Sequence, residues 1–330
     1  MILHEDICGF LRGNDLECKI EQIDGYQVIT TGRGPAILPI SISETDPDQA
    51  RTKAEAVMRL VRILSKQTGS YPLIITEDRW RSQTDMMQRR LLAHLHIYVQ
   101  IYARNCEVRK IDKNTAAEFL QENHSYGDAT CRHRYGLYLK RYTGHTVHDN
   151  GTEQPNAGEL VAVATFSNGR KWIKGEKTIR SFEWTRYASL PGVRLSGGMG
   201  RLLKAFIEDI KPDDIMTYAD LEWSEGGVYE ALGFELEGVK SPVLFEIDCK
   251  IWHRSASIKD RVTAGDDVPP QARECLSAAK TGGTIGYTQS DTCTAEHNSE
   301  SISFEAELSD DIKYFQNLGS NKYRLKLTEY

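Results

Sequence analysis

Apolar positions along this chain of 330 residues switch between a period of two and a period near 3.6, and the switches mark out its elements. Between Cys18 and Ile42, short β-rich runs (KIEQI, YQVITT, AILPISI) alternate with Gly and Pro and predict a small meander of strands. Thr45, Asp46 and Pro47 then open a helix in which Ala54, Val57, Met58, Val61 and Leu64 recur at helical spacing as far as Lys66. The run YPLIIT, Tyr71 to Thr76, reads as a compact apolar strand. After Glu77 and Asp78 comes a second helix, with Trp80, Met87, Leu91 and Leu95 on one face. Residues 1–104 are therefore expected to form a small α/β unit.

A second pattern begins at Cys106. A strand (CEVRKI) leads to Asp112, placed as the N-cap of a helix carrying Ala116, Ala117, Phe119 and Leu120. The polar loop Asn123 to Gly127 precedes three strands, at Tyr135 to Leu139, Leu160 to Phe166 and Ile179 to Leu190. A stretch rich in Gly, Asn and Thr, around Gly144 to Gly158, joins the first two as a hairpin. Arg194-Leu195-Ser196-Gly197-Gly198-Met199-Gly200-Arg201 then reads as a glycine-rich loop opening a helix with Leu202, Leu203, Phe206, Ile207 and Ile210, stopped at Pro212. Ile215 to Ala219 reads as a strand and Ser224 to Leu232 as a short helix closed by Gly233. Phe234 to Glu237 and Val243 to Trp252 read as a hairpin. Together these predict a second unit, 105–253. Residues 254–301 are rich in Ser, Thr, Ala, Gly and Asp and lack a period, as a linker or insertion does. Residues 302–330 return to β-type alternation around an Asn317 to Asn321 turn and predict a terminal hairpin that rejoins a sheet.

Composition narrows the class. Hydrophobic residues make up 40% and charged residues 27%, ordinary values for a soluble globular protein. The net charge of −6 argues against a chain basic throughout, such as an architectural DNA binder, but leaves room for a local basic face. The 7 cysteines are odd in number, scattered and without a C-x-x-C pair, which fits a reducing cytoplasm and predicts no metal site. The N-terminal stretch is acidic where a signal peptide is basic, and no apolar run approaches the roughly 18 residues a bilayer requires. A soluble, cytoplasmic protein with no membrane partner is expected.

Two clusters carry candidate chemistry. Glycines in a turn let backbone N–H groups approach an anion, and a helix N-terminus behind them adds about half a positive charge. Arg194, Ser196, Gly197, Gly198, Gly200 and Arg201 are thus candidates for holding a pyrophosphate, with an ordinary glycine turn as the competing reading. In the first unit Arg79, Arg81, Arg89 and Arg90 stand against the single acid Asp85 on the second helix. Such a cluster suits nucleic-acid phosphates, or is simply a solvated helix face.

The order of elements over Cys106 to Trp252 resembles the GNAT acyltransferase fold. That implies an α/β (α+β) chain with a mixed, mostly antiparallel sheet and flanking helices, preceded by a small α/β unit. The family's Q/R-x-x-G-x-G/A loop holds the pyrophosphate of acetyl-CoA. Here the register through Gly198 and Gly200 puts Leu195 where Gln or Arg stands in the family, with Arg194 one place early. VYEALGF is similar to the family's LYEKLGF signature, which implies that Tyr229 protonates the departing thiolate of CoA; a core aromatic is the rival reading. NHSYG, FEWTRYASL, RLSGGMGRLLKAF and TYADLEWSEGGVYEALGF together resemble a phage and mobile-element branch of GNAT-like proteins. That branch includes Mom-type DNA-modifying enzymes and domains attached to homing-endonuclease fragments.

The resemblance implies transfer from an acyl-CoA to an amine, with a nucleic-acid base amine as acceptor and DNA as partner. Asp220 or His124 would then act as base or position water, Arg186 would anchor substrate or cofactor, and Tyr229 would serve as the acid. Each also has a structural reading: Asp220 as a cap for the helix at Ser224, His124 as a loop hydrogen bonder, Arg186 as a partner of Glu183 or Glu222. YPLIITEDRW and its basic helix resemble, more faintly, a nuclease-like fragment. No D…E-x-K set accompanies Glu77 and Asp78, so that likeness implies binding without cleavage. A non-catalytic DNA-binding module beside a decayed nuclease is the alternative to the transferase. The transferase requires the strands at Ile179 to Leu190 and Ile215 to Ala219 to part, with the glycine turn facing the gap.

Overall fold

The structure, a computed structural model, describes residues 2–141, 145–147, 154–256 and 311–328. Its first elements are α1 (Leu3–Gly13), β1 (Cys18–Ile23), β2 (Tyr26–Thr31), β3 (Ile37–Ile40), α2 (Pro47–Thr68), β4 (Leu73–Thr76), α3 (Glu77–Ser82), α4 (Thr84–His94) and β5 (Tyr98–Tyr102), ending in a 3-10 turn at Ala103–Asn105. Next come β6 (Cys106–Lys110), α5 (Lys113–Asn123), β7 (His133–Leu139), β8 (His145–Val147), β9 (Leu160–Phe166), β10 (Arg170–Lys174), β11 (Lys177–Ser189), β12 (Val193–Ser196) and α6 (Gly198–Ile210). The rest are β13 (Asp214–Asp220), α7 (Gly227–Ala231), β14 (Glu235–Lys240), β15 (Leu244–Asp248), β16 (His253–Ala256), β17 (Ile312–Gln316) and β18 (Ser320–Lys326). Apart from 254–256, the expected linker lies outside the described residues, as do 142–144 and 148–153 between β7 and β9 and the run ISFEAEL.

Strands β1 to β4 form a sheet in that order, with β3 and β4 parallel. Alternation along these strands splits their side chains between two cores. Ile29, Ile37 and Ile75 pack with Leu3, Ile7 and Leu11 of α1 and with Trp80 and Leu91. Val28, Leu38 and Ile74 pack under Val57, Leu60, Val61 and Leu64 of α2. Helix α2 starts where the side chain of Asp46 accepts the Asp48 N–H at 2.8 Å ahead of Pro47, and it stops at Gly69 in the left-handed region. The helix expected after Glu77 is two helices, broken at Gln83.

The larger sheet runs β14-β18-β13-β11-β9-β7-β6, with β10 on the free flank of β11. Neighbours on this path are antiparallel except β11 and β13, which are parallel. Phe206 of α6 stacks on Phe166 at 3.8 Å between ring centroids, covering one face. Ala116, Phe119 and Leu120 of α5 pack on Val163 and Ala188, covering the other. The architecture is thus the mixed, mostly antiparallel sheet with flanking helices that the sequence predicts.

Two expected hairpins are absent. Strand β14 pairs with β18, while β15 joins β16 and β17 in a separate three-stranded sheet, so 234–252 is not a hairpin. Strands β17 and β18 likewise belong to different sheets, β18 being inserted between β13 and β14. The expected boundary at 104 is also bridged by packing. Val99 and Ile101 of β5 sit in the core of the larger sheet, and Leu221, Ile247, Phe315 and Leu318 sit in the core under α2. Among the described residues no helix is long and apolar enough to cross a membrane.

Candidate active site

The site is built around the parting of β11 and β13. Their parallel ladder spans Ser181 to Glu183 against Asp214 to Met216 and then ends, although both strands continue. β11 shifts register against β9 between Trp184 and Arg186, turning away, while β13 stays paired to β18 as far as Asp220. Such a bulge re-aims the side chains that follow it. Past the ladder, the Thr217 hydroxyl donates to the Trp184 carbonyl at 3.1 Å.

On the α6 face this gap is lined by phenols. The Tyr229 ring lies 6.0 Å from Trp184 and 5.7 Å from both Phe234 and Tyr323. Burial pushes the Tyr229 phenol above its ordinary value, so it holds its proton at neutral pH. Burial does the same for Tyr187, reinforced by Cys106 and Tyr229.

Helix α6 begins here. Gly197 takes φ 77° at its N-cap, a left-handed conformation that suits glycine. Gly198 and Gly200 are explained by packing: a Cβ on Gly198 would lie 2.7 Å from the Leu195 side chain and 3.0 Å from the Tyr187 hydroxyl, and one on Gly200 3.1 Å from Leu232. Leu195, out of place for the family loop, is thus the residue that closes on the turn. The Arg201 N–H bonds back to the Gly197 carbonyl, whereas Gly198, Met199 and Gly200 precede the first intrahelical partner, leaving their amides at the helix mouth. Residues 194–196, expected as loop, form β12, parallel to β5. Arg194 donates to the Tyr98 hydroxyl at 3.0 Å, Arg201 to the Ala103 carbonyl at 2.9 Å, and Ser196 accepts from Gln100 at 2.9 Å. Gln100, buried between β5 and β12, also reaches the Arg194 carbonyl; a lone amide within YVQIY gave no sequence signal.

On the opposite, α5 face, Asp220, His124 and Arg186 come together around Tyr126. Asp220 Oδ2 accepts from the Tyr126 hydroxyl at 3.0 Å, while Oδ1 accepts the Glu222 N–H at 2.9 Å. It therefore caps its own turn and faces the site at once. His124 Nδ1 accepts the Tyr126 N–H at 3.1 Å. Burial, then the charges of Arg186, Arg90 and Arg79, pull its pKa down to about 3. A neutral imidazole whose free lone pair is already engaged is a poor base. Arg186 donates to the carbonyls of Gly127 at 3.2 Å and Thr185 at 2.9 Å, fixing the loop that carries His124 and Tyr126.

The four arginines expected to form one basic face do not share a face. Arg79 is 4% exposed, 3.5 Å from Glu222 and 3.7 Å from Asp220, with its guanidinium over the rings of Tyr126 and Trp223. Arg90 also lies over the Trp223 ring, 3.0 Å from its centroid. Arg81 is held by Asp6 and Glu77, and Arg89 stands exposed, paired with Asp85. Helix α3 thus turns Arg79 inward to the end of β13.

Arg254 of β16 was not foreseen. It donates to both oxygens of Asp78 at 2.6 and 3.0 Å, to Glu222 at 3.0 Å and to the Thr76 hydroxyl at 3.1 Å. Burial lifts the Asp78 carboxyl, but the charge and hydrogen bonds of Arg254 outweigh it and hold the group below its usual range. For Glu222 burial prevails and the pKa is raised.

No protein-family model and no curated protein matches the chain. Among solved structures it is similar to Eis1 from Mycobacterium abscessus, at 14% identity and a TM-score of 0.30, covering 44% of this chain and 34% of that one. It is also similar to a chain of the KacTA–DNA complex, at 16% identity and a TM-score of 0.26, covering 40% of this chain and 86% of that one. The chain thus spans about a third of the length of Eis1. At these scores neither likeness speaks to activity.

Proposed function

We propose that the chain is an acyl-CoA-dependent N-acyltransferase of GNAT type, of the phage and mobile-element kind, working through the gap between β11 and β13. The observation that carries this reading is the early end of the parallel ladder, with a helix N-terminus on one face and a polar cluster on the other. Ligands of open α/β sheets sit beyond the carboxyl ends of such strands. When bound, acyl-CoA supplies an activated carbonyl and a thiolate leaving group. The first-turn amides of α6 receive its pyrophosphate, with Arg194, Ser196, Gly197 and Arg201 bordering them. Asp220 takes the proton of the attacking amine as the N–C bond forms. Tyr229 gives its proton to sulfur as the C–S bond breaks, and is reprotonated from solvent.

The test is release of free thiol from acetyl-CoA in the presence of a panel of amines, with the product weighed by mass spectrometry. Tyr229→Phe is expected to slow kcat about 10²-fold or more with little change in KM. Thiol release no faster than in buffer across the panel overturns the reading.

A nucleic-acid base amine as the acceptor, or a DNA-binding role without catalysis, draws support from the hairpin of β10 and β11. Trp172 and Ile173 there are 53% and 82% exposed, among Arg170, Lys171 and Lys177. Aromatic and basic side chains on one exposed ribbon suit stacking on bases and contact with phosphates. Oligonucleotide affinity that falls with salt, and that drops on Trp172→Ala with Lys171→Gln, is the expected behaviour.

A further inference from the structure

Where the end of β13 meets α3 and α4, buried polar atoms collect without partners. Among the described residues seven buried side-chain polar atoms lack a hydrogen bond, and five of them are Nη1 and Nη2 of Arg79, Nε1 of Trp223, Oε1 of Gln83 and Oδ1 of Asp128. These residues belong to segments in contact: Arg79 lies over Tyr126 and Trp223, Gln83 donates to the Ser125 carbonyl, and Asp128 adjoins Gly127, to which Arg186 is bonded.

The acids nearest Arg79 are committed elsewhere. Glu222 gives both oxygens to Arg254, at 3.0 and 3.2 Å, and Asp220 is taken up by the Glu222 N–H and the Tyr126 hydroxyl. The guanidinium fork, 5% exposed, is left at 3.5 Å or more from any carboxylate it is paired with. Arg79 is thus ion-paired with Glu222 and Asp220 but donates no hydrogen bond to either, and a buried guanidinium whose N–H donors are unused is complemented by an oxyanion that fills the fork. Tyr126, whose ring centroid lies 4.6 Å from the guanidinium carbon, is 40% exposed.

We propose that this junction is an oxyanion subsite: the fork of Arg79 and the indole N–H of Trp223 hold a carboxylate or phosphoryl group, with Arg90, over the Trp223 ring, adding charge nearby. Naming its ligand rests on the transferase reading. Because Tyr126 touches both Arg79 and Asp220, an oxyanion held there places the remainder of the acceptor at Asp220. The acceptor is then an amine that carries an anionic group nearby, and the unpartnered oxygens of Gln83 and Asp128 are available to its N–H or O–H donors. A simple polyamine lacks the anion and is excluded.

The experiment is calorimetric titration of inorganic phosphate into the full chain without acyl-CoA. Saturable binding is expected, weakened about tenfold by Trp223→Phe, which keeps the ring and removes one donor to a charged group, and similarly by Arg90→Gln. Arg89→Gln, at an exposed arginine paired with Asp85 and outside both sites, is expected to leave phosphate binding unchanged, which ties the losses to the junction. No saturable heat, or equal affinity in all four proteins, overturns the subsite. Acetyl-CoA is titrated in parallel. Phosphate binding without acetyl-CoA binding keeps the subsite and removes the transferase, and the reverse removes the subsite alone. Competition by a nucleoside 5′-monophosphate assigns the anion to a small free acceptor, and competition only by an oligonucleotide assigns it to a strand phosphate.

Discussion

Burial favours the uncharged form of both Tyr229 and His124: it keeps the phenol protonated and the imidazole neutral. For His124 the consequence reaches stability. Its folded pKa of about 3, and that of His94 at about 4, lie below the ordinary 6.5, so the unfolded chain binds more protons as the pH falls through that value. Stability from these neutral rings is complete above about pH 6.5 and declines progressively below it. His124→Asn retains an acceptor for the Tyr126 N–H and is expected to flatten the slope of the urea midpoint between about pH 6.5 and pH 5. An unchanged slope would show that His124 titrates normally in the folded chain. His124, Asp220, Arg186 and Tyr229 were legible in the sequence as polar or aromatic positions at element ends. The charges that act on His124 were not, because Arg79 and Arg90 arrive from another unit.

Periodicity is local, and elements written by it were legible: α2, α5, α6 and the strands β6, β7, β9, β11 and β13 of the larger sheet lie close to where the pattern puts them. Helix α1 was passed over although Leu3, Ile7 and Leu11 are spaced by four, because Gly9 and Gly13 dilute the helical signal. Strand β10 was missed because it is an exposed flank with little burial to write a pattern. Pairing is not local, and both expected hairpins failed for one reason: β18 enters between β13 and β14 from the end of the chain. That insertion is held partly by charge. Arg324 and Lys322 of β18 hydrogen-bond Glu237 of β14 and draw its pKa down to about 2 from 4.5. A depressed carboxyl stabilises above its unfolded pKa, and that contribution is lost as the pH falls from about 4.5 towards 2. Glu237→Gln is therefore expected to lower the melting temperature at neutral pH and to bring the two proteins together in acid. A gap that persists at low pH would point to packing instead of charge.

At the scale of the whole molecule, Arg254 ties three parts together: α3 through Asp78, the turn after β13 through Glu222, and the sheet of β15 to β17 on which it stands. Breaking a buried pair by removing one partner costs about 3–5 kcal/mol, since a charge is left without its complement. Arg254→Met is expected to destabilise by that order in urea denaturation. Combining it with Asp78→Asn and Glu222→Gln is expected to recover part of the loss; a triple variant worse than the single one would show that the polar network itself is needed. This clamp was invisible in the sequence, its members being 32 to 176 residues apart.

The clamp fixes the N-terminal unit against the end of β13, and so fixes the far side of the gap that the proposed chemistry uses. The most direct measurement is a calorimetric titration of acetyl-CoA into the wild-type chain and Gly198→Glu. The account predicts saturable, one-to-one binding by the wild type and none by the variant, whose side chain would meet Leu195 and Tyr187 at the mouth of α6. Absence of heat in the wild type at millimolar ligand, or binding of equal strength by both proteins, would contradict it.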